Sequence, residues 1–239
     1  MSKQKYKGRD YYSFRDAMNA LPTFQEKAAY IWEYYKYWIC GGIAVLLFII
    51  TMSVSIYQNS APVYLNGDYI NVMGNSFSDT YDRDYLQNSF LYGYLGLSED
   101  DRTCMTFNDT FSMVPDNNVG EQATNNYNAR NAIMAHLAAH ETDYFLMTPN
   151  VIDSIQIQFE CLMDMREFLT VEELEQYQDL LYYTSDGIPV AIDITDTQFV
   201  TNAQLIASDH IYLSWVVFSE RPEHFRPFFD YIMGAEAQA

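Results

Sequence analysis

Apolar residues recur at helical spacing in some segments of this chain and at strand spacing in others, and one long, mostly apolar stretch carries no charge at all. That unbroken run, Tyr37 to Tyr57, holds 21 residues without a charge. At about 1.5 Å per helical residue it spans roughly 31 Å, close to the thickness of a bilayer core. The capping box Thr23-Phe24-Gln25-Glu26 stands before it. The pattern predicts one long helix that begins there and continues through a membrane span.

The rest of the chain alternates between β-branched or aromatic runs and segments with apolar residues at helical spacing. Strands are predicted at 63–72 (with a turn at Asn66-Gly67), 104–107, 144–147, 187–194 and 211–218. Helices are predicted at 84–95, at 129–140, from Pro149, from the Thr170 capping box to about 183, and from Pro222 to about 234. Residues 113–126, rich in Asn, Asp, Pro and Gly, predict a surface loop. The alternation predicts one α/β domain with a largely parallel sheet.

Charge divides the chain at the apolar run. Residues 1–36 hold seven Lys/Arg and four acids, whereas residues 58–239 hold six arginines, no lysine and 28 acids. The positive-inside rule therefore predicts a cytoplasmic N-terminus and an exported C-terminal part. We expect a cytoplasmic tail and juxtamembrane helix (1–36), a transmembrane helix (37–57) and an extracellular α/β domain (58–239). Within the first part, residues 1–21 show no clear period and are expected to form a flexible or loosely bound tail.

A cleaved signal peptide is the main alternative to a membrane anchor. Its apolar region has about 7–15 residues and follows a short basic stretch. Here the run is longer and 36 residues precede it, although Ser53-Val54-Ser55 would be a tolerable cleavage site. Aromatic residues at both ends of the run also favour an anchor, because Trp and Tyr concentrate at membrane interfaces. They are Tyr30, Trp32, Tyr34, Tyr35, Tyr37 and Trp38 at the inner end and Tyr57 at the outer end.

Catalytic and metal-binding motifs are missing from the exported sequence. His136 and His140 are four residues apart, as zinc ligands on a helix would be, but HLAAHE is neither HExxH nor HxxEH. There is no GxSxG, and Ser208-Asp209-His210 is adjacent in sequence, which is not how a triad assembles in space. The charge of the exported part repels nucleic acid. We predict no enzyme, no catalytic or metal-binding residue, no cofactor and no nucleic-acid partner.

Three other features have a structural and a functional interpretation. The acidic clusters Asp79–Asp84 and Ser98–Asp101 lack the EF-hand pattern, and we interpret them as acids at helix N-termini. Cys104 and Cys161 form either one disulfide or two buried free thiols, and the spacing leaves both open. Aromatic residues make up 16% of the chain. We expect the tyrosines mainly in the core and at its boundary, with a carbohydrate or peptide contact surface as the alternative.

The stretch from Asn131 to Tyr177 resembles extracellular solute-binding proteins of ABC transporters. In those chains a helix ending in small residues precedes an aspartate and a buried strand, and an L-D-L segment opens a later helix. The corresponding residues are Leu137-Ala138-Ala139, Asp143, Leu162-Met163-Asp164-Met165, the strands Ile188–Ile192 and Trp215–Ser219, and Arg221-Pro222-Glu223. With its anchor, the chain is also similar to small single-pass membrane proteins of Gram-positive anaerobes. The resemblance implies a periplasmic-binding-protein-like domain.

Three departures separate the chain from that family. His140 stands where the family commonly has Gly, so the turn is built differently or His140 adopts a left-handed conformation. Pro227 is expected to interrupt and bend the last helix. The exported part is about half as long as a two-lobed binding protein, whose lobes close on a ligand about a hinge.

The resemblance implies a membrane-anchored, non-catalytic recognition domain at the cell surface, similar to a reduced solute-binding protein. It would bind a small solute, a peptide, or an envelope or transporter protein beside the lipid bilayer. The ligand-binding residues are not predicted. The alternative is a structural or assembly subunit of a membrane complex without a small-molecule ligand. A deep cleft lined by tyrosines and polar groups would favour recognition, and a flat apolar patch would favour assembly.

Overall fold

The structure is a computed structural model, and it describes residues 4–6, 9–11, 14–59, 61–114 and 120–234. Contacts divide the chain into two units, Met1–Ser60 and Ala61–Ala239. The boundary falls shortly after the apolar run, between Ser60 and Ala61. The side chain of Tyr57, expected at the outer membrane interface, lies outside the described part.

The first unit has more structure than a flexible tail. Strands β1 (Gln4–Tyr6) and β2 (Arg9–Tyr11) pair antiparallel and are followed by helix α1 (Phe14–Ala20). Leu21 and Tyr30 are buried, with Met18 and Tyr34 packed beside them. Residues 1–21, predicted as a flexible or loosely bound tail, therefore include a helix, α1, whose apolar residues pack against the next helix.

Helix α2 (Phe24–Asn59) runs without interruption for 36 residues. The Thr23 hydroxyl accepts a hydrogen bond from the Glu26 N–H at 3.3 Å, so the predicted N-terminal cap is confirmed. Among the described helices, α2 is long and apolar enough to cross a membrane, over Phe24–Ser55. That length and composition suit a membrane anchor, and a signal sequence near an N-terminus shares them.

The second unit is a mixed α/β domain. Its elements are β3 (Val63–Ile70), β4 (Val72–Gly74), a π-helix (Leu86–Tyr94), a 3₁₀ turn (Glu99–Asp101), β5 (Cys104–Phe111), α3 (Gly120–Ala138), β6 (Tyr144–Met147), α4 (Pro149–Phe159), α5 (Met165–Phe168), α6 (Val171–Gln176), a 3₁₀ turn (Gln178–Leu180), β7 (Leu181–Tyr183), β8 (Pro189–Asp193), α7 (Gln198–Asn202), β9 (Leu205–Ala207), β10 (Tyr212–Trp215), a 3₁₀ turn (Pro222–His224) and α8 (Phe225–Ile232). Each predicted strand and helix has a counterpart; β6 has the predicted ends, and most of the others have one or both ends shifted.

The main sheet has six strands in the order β5-β3-β6-β10-β8-β7. The pairs β5–β3 and β3–β6 are parallel, whereas β6–β10, β10–β8 and β8–β7 are antiparallel. The sheet is therefore mixed, and the prediction of a largely parallel sheet is wrong for its second half. Strands β4 and β9 form a separate antiparallel ribbon.

Two hydrophobic cores cover the two faces of the sheet. Side chains alternate along β6, so that Tyr144 faces one core and Phe145 faces the other. The π-helix and α8 cover the first face with Phe90, Phe228 and other apolar residues. Helices α3 and α4 cover the second. Both cores use residues of the second unit alone.

Gly67 lies within β3 and is packed closely against the side chain of Tyr144. The predicted turn at Asn66-Gly67 is wrong, because β3 runs straight through it. A Cβ on Gly67 would lie 2.6 Å from the hydroxyl oxygen of Tyr144. The position therefore needs a residue without a side chain so that the buried ring can cross the strand.

Other differences from the predicted elements have local causes. Helix α3 begins at Gly120, inside the predicted loop 113–126, of which residues 115–119 lie outside the described part. The Thr170 capping box is confirmed, but α6 ends at Gln176 because the chain turns into β7. Pro227 does not interrupt α8, since it is the third residue of that helix, where no intrahelical N–H bond is required.

The sequence left two alternatives for the turn after α3: a different turn, or a left-handed His140. The structure has the second. The residue adopts a left-handed conformation, with a φ of 54°. The N–H of Glu141 donates to the carbonyl of His136 at 2.9 Å and closes the helix end. The His140 ring contacts the carbonyl of Phe218, with 2.8 Å between Nδ1 and the oxygen. That tertiary contact offsets part of the cost of a left-handed non-glycine residue.

Candidate functional site

An open cleft lies where the three parallel strands β5, β3 and β6 end. Such strand ends are the usual position of ligand sites in α/β sheets. The cleft has a volume of about 490 Å³, which is within the range of small-ligand pockets. It is lined by Asn71, Met73, Ser112, Met113, Val114, Asn150, Ile206, Ala207 and Ser208.

Asn71 joins the ends of all three strands at the base of this strand-end cleft. Its N–H donates to the carbonyl of Phe111 at 2.9 Å, at the end of β5. Its side-chain amide donates to the carbonyl of Met113 and accepts from the Met113 N–H, each at 2.8 Å. The amide also donates to the Thr148 hydroxyl at 3.2 Å, just after β6. Its φ of 59° suits Asn, which tolerates the left-handed region better than most residues.

Exposed aliphatic side chains form the walls of the cleft. Met73 on β4 and Ile206 on β9 are cross-strand partners, with exposures of 51% and 43%. Val114 lies on the other side and is 40% exposed. The buried amide of Asn126 holds Val114 in place by accepting from its N–H at 2.9 Å and donating to its carbonyl at 2.8 Å. Strand pairing therefore fixes one wall and the Asn126 amide fixes the other, while the apolar side chains of both walls face solvent.

Helix α4 begins beside the cleft. The predicted Pro at its first position is confirmed, with Thr148 as the N-cap. The Thr148 hydroxyl makes no capping bond to the helix backbone and instead donates to the Asn150 side chain at 2.5 Å. Asn150 is exposed and presents an amide to the cleft.

The lining of the strand-end cleft carries no charge. All nine lining residues are neutral, although residues 58–239 hold 28 acids and six arginines. Amide and hydroxyl groups can exchange hydrogen bonds with a ligand, and the aliphatic groups can cover an apolar part of it. None of these residues is a general acid, a general base or an aromatic stacking surface. The geometry suits binding of an uncharged group better than acid–base chemistry.

His136, near the end of α3, and His140, in the turn after it, do not converge on one point. His136 Nδ1 lies 3.1 Å from both carboxylate oxygens of Asp68, which also accepts from the Thr142 hydroxyl at 2.6 Å. Burial raises the pKa of the Asp68 carboxyl, and the bonds from Thr142 and His136 oppose that rise. His140 contacts a backbone carbonyl instead. Among the described residues no group of three or more His, Cys, Asp or Glu is placed to hold a metal ion.

Ser208, Asp209 and His210 do not form a catalytic triad. The His210 Nδ1 lies 2.6 Å from Asp193, and that carboxylate raises the pKa of the imidazole. Asp209 accepts from the backbone N–H of His210 at 2.8 Å. Ser208 lines the strand-end cleft, and no bond between its hydroxyl and either neighbour is present in the described part. Neither Asp209 nor His210 is therefore placed to activate this hydroxyl.

The acidic clusters occur at helix starts. Ser98 forms a capping box with Asp101, which accepts from the Ser98 N–H at 3.2 Å. Asp82 accepts from the N–H of Asp84 at 2.9 Å, in the turn before the π-helix. These bonds agree with the structural interpretation of both clusters.

Cys104 and Cys161 are free thiols, which is one of the two alternatives left by their spacing. Cys161 is buried in the second core, and burial raises the pKa of its thiol to about 12. Cys104 starts the edge strand β5 and is partly buried. Burial also raises its pKa, so neither thiol is activated as a nucleophile.

Asp143 has a structural role that the sequence indicated only through resemblance. The carboxylate is fully buried and accepts from the Asn66 N–H at 2.7 Å and the Ser219 hydroxyl at 2.6 Å. Arg221 donates to it at 2.8 and 3.1 Å. The network connects β3, the start of β6 and the segment after β10. It lies at the end of β6 that is opposite the cleft. The local signal was one acid directly before a continuous apolar run.

Tyrosines lie mainly in or against the first core. Tyr69 and Tyr144 are buried, with 3.3 Å between their hydroxyl oxygens. Only Tyr127 and Tyr183 are largely exposed among the tyrosines described in the second unit. A second groove, of about 430 Å³, has one tyrosine, Tyr94, in its lining. The strand-end cleft has none. A cavity lined by Tyr69, Tyr81 and Tyr85 has a volume of only about 10 Å³, room for about one water molecule, so no described pocket of ligand size is lined mainly by tyrosines.

The chain was compared with protein-family models, with curated proteins and with solved structures. None of the three comparisons returned a match.

Proposed function

We propose that this protein is a membrane-anchored, non-catalytic recognition domain that resembles a reduced solute-binding protein. The observation that carries the proposal is the neutral strand-end cleft. Asn71 lies at its base and joins the ends of three parallel strands by hydrogen bonds. The ligand is a small solute, a peptide or a segment of an envelope or transporter protein. The neutral lining favours an uncharged group over an ion.

The proposed location rests on α2 and on the distribution of charge. Helix α2 anchors the chain in the cell membrane, with residues 1–36 in the cytoplasm and residues 58–239 outside. The seven Lys/Arg of residues 1–36 support this orientation, since basic residues are retained on the cytoplasmic side. Protease treatment of intact cells tests it. The exported domain should be digested, and a fully protected chain would refute the orientation.

An assembly subunit is the second candidate. The exposed side chains of Met73, Val114 and Ile206 form an apolar surface that a partner protein could cover as well as a small ligand. The two candidates differ in whether a free small molecule binds the isolated domain.

Thermal unfolding of residues 61–239 distinguishes the two candidates. Both hydrophobic cores lie within this segment, so it contains the interactions that it needs to fold. Sugars, peptides, amino acids and divalent ions would be added in turn. A ligand at a hundredfold excess over its Kd adds about 2.7 kcal/mol to the free energy of unfolding.

Two isoleucine variants assign any shift to the strand-end cleft. Ile206→Ser removes a cleft wall, and Ile157→Ser changes an equally apolar side chain on α4 that is 75% exposed and outside the cleft. We expect Ile206→Ser to abolish the ligand-induced shift and Ile157→Ser to keep it. A shift that survives in both variants would place the ligand elsewhere. No shift with any compound would favour the assembly subunit.

A further inference from the structure

The first unit contains a groove that the recognition function does not use. It has a volume of about 480 Å³ and is lined by Phe14, Ile31, Tyr35, Trp38 and Ile39. The last four lie on one face of α2, at the spacing i, i+4, i+7 and i+8. Phe14 comes from α1 and meets Tyr35 edge-on, with 5.8 Å between ring centroids.

The groove is held open by a small core of its own. Leu21, in the turn between the helices, is 6% exposed, and Tyr30 is fully buried. The Tyr30 ring lies 4.9 Å from that of Tyr34 and 6.5 Å from that of Phe14. These contacts hold α1 against the first turns of α2, so the groove is a built feature rather than a gap beside a flexible tail.

The groove straddles the start of the uncharged run. Ile31 and Tyr35 precede Tyr37, and Trp38 and Ile39 follow it. From Ile31 to Ile39 the helix rises about 12 Å. The polar layer on each side of a bilayer is only about 5–8 Å thick, so a groove of this length reaches from the headgroups into the acyl chains.

Exposure and charge indicate which occupant fits. Beyond the groove, side chains such as Ile43 and Leu46 are 55–58% exposed, so the groove continues into an apolar surface. Lys36 lies on α2 between the groove residues Tyr35 and Trp38, with its ammonium group 5.3 Å from the centroid of the Tyr37 ring. Residues 1–36 carry three more basic than acidic residues. An apolar channel below a basic rim matches an acyl chain below an anionic headgroup.

We propose that this groove binds one anionic phospholipid, with an acyl chain against Phe14, Ile31 and Ile39 and its headgroup beside Lys36. The inference rests on the proposed membrane anchor and is independent of the ligand of the strand-end cleft. The helices α1 and α2 would then form a lipid-binding site at the inner face of the membrane.

Native mass spectrometry of the full-length chain, released from bicelles of equal phosphatidylglycerol and phosphatidylcholine, tests the proposal. We expect one retained phospholipid per chain, with phosphatidylglycerol preferred at least fivefold. Phe14→Ser should reduce retention at least fivefold, whereas Phe24→Ser should not, because Phe24 is 85% exposed and outside the groove. Lys36→Gln should remove the preference for phosphatidylglycerol and keep retention.

Several outcomes would overturn the proposal. They are a chain that retains no lipid, equal retention in the two phenylalanine variants, and equal binding of both lipids by the unmodified chain. Because Phe14 also contacts Tyr30 and Tyr35, Phe14→Leu serves as a second variant: it keeps an apolar side chain between the helices and should retain lipid, and circular dichroism would confirm that the helices remain in both variants. Alkaline extraction of membranes separates the two claims. A chain that is extracted refutes the anchor, whereas a chain that stays in the membrane but retains no lipid refutes only the groove.

Discussion

Replacing Asn71 by glycine and by alanine separates what its amide contributes from what its backbone requires. The amide makes two bonds of 2.8 Å with Met113 and one of 3.2 Å with Thr148. At about 1 kcal/mol net for each bond, Asn71→Gly should lose about 2–3 kcal/mol of unfolding free energy. Asn71→Ala loses the same bonds and must also hold a φ of 59°, which costs about 1 kcal/mol more.

Urea unfolding of residues 61–239 measures both variants. Trp215 is the only tryptophan in this segment, and it is fully buried and stacked on Phe225 with 4.3 Å between ring centroids, so its fluorescence should report the loss of the first core. Asn131→Ala, at an exposed position of α3, is the control and should change stability by less than about 0.5 kcal/mol. An Asn71→Gly variant as stable as the unmodified domain would refute the role of the amide. An alanine variant more stable than the glycine variant would refute the left-handed backbone.

Three further variants test other parts of the domain. Gly67→Ala should lower the free energy of unfolding by about 1–3 kcal/mol, measured in urea, because its methyl group collides with the buried Tyr144 ring; no loss would refute the close approach. Asp143→Ala should cost about 2–3 kcal/mol in the same assay, because the partly buried Arg221 guanidinium loses its counter-charge and the Asn66 N–H loses its acceptor; a loss below about 1 kcal/mol would contradict the network. In an NMR titration, Asp193→Asn should move the pKa of His210 down towards 6.5. The raised pKa stabilises the fold below pH 6.5, and this contribution disappears as pH rises through the folded-state value; an unchanged midpoint would refute the pairing.

Local signals in the sequence determined the order and type of most elements. The Thr23 and Thr170 caps, Pro149 at the start of α4 and the long uncharged run are each confirmed as helix features. The continuous apolar run at 144–147 is a buried inner strand, third in the order of six. These features were predictable because a cap, a first-turn proline or an apolar run acts through residues within a few positions of itself.

Strand pairing was decided by tertiary structure. Nothing local in the 211–218 run shows whether it lies parallel or antiparallel to β6, and it is antiparallel. Gly67 shows the same dependence on tertiary structure. The local pattern predicts a turn there, but in the fold Gly67 lies against the ring of Tyr144, 77 positions later in the chain. The residues next to Gly67 in the sequence carry no signal of a contact with a ring that only the folded sheet brings near.

The strand-end cleft shows this division most clearly. Its lining comes from four separate stretches, namely 71–73, 112–114, Asn150 and 206–208, and none of them contains a recognisable binding motif. The sequence determined that an acidic α/β domain follows a basic N-terminal segment and a long apolar helix, because charge and hydrophobic period are properties of composition and near neighbours. Only the tertiary structure decided that Asn71 would bridge three strand ends and leave a neutral cleft, because hydrogen bonds to residues 42 and 77 positions away depend on the whole sheet.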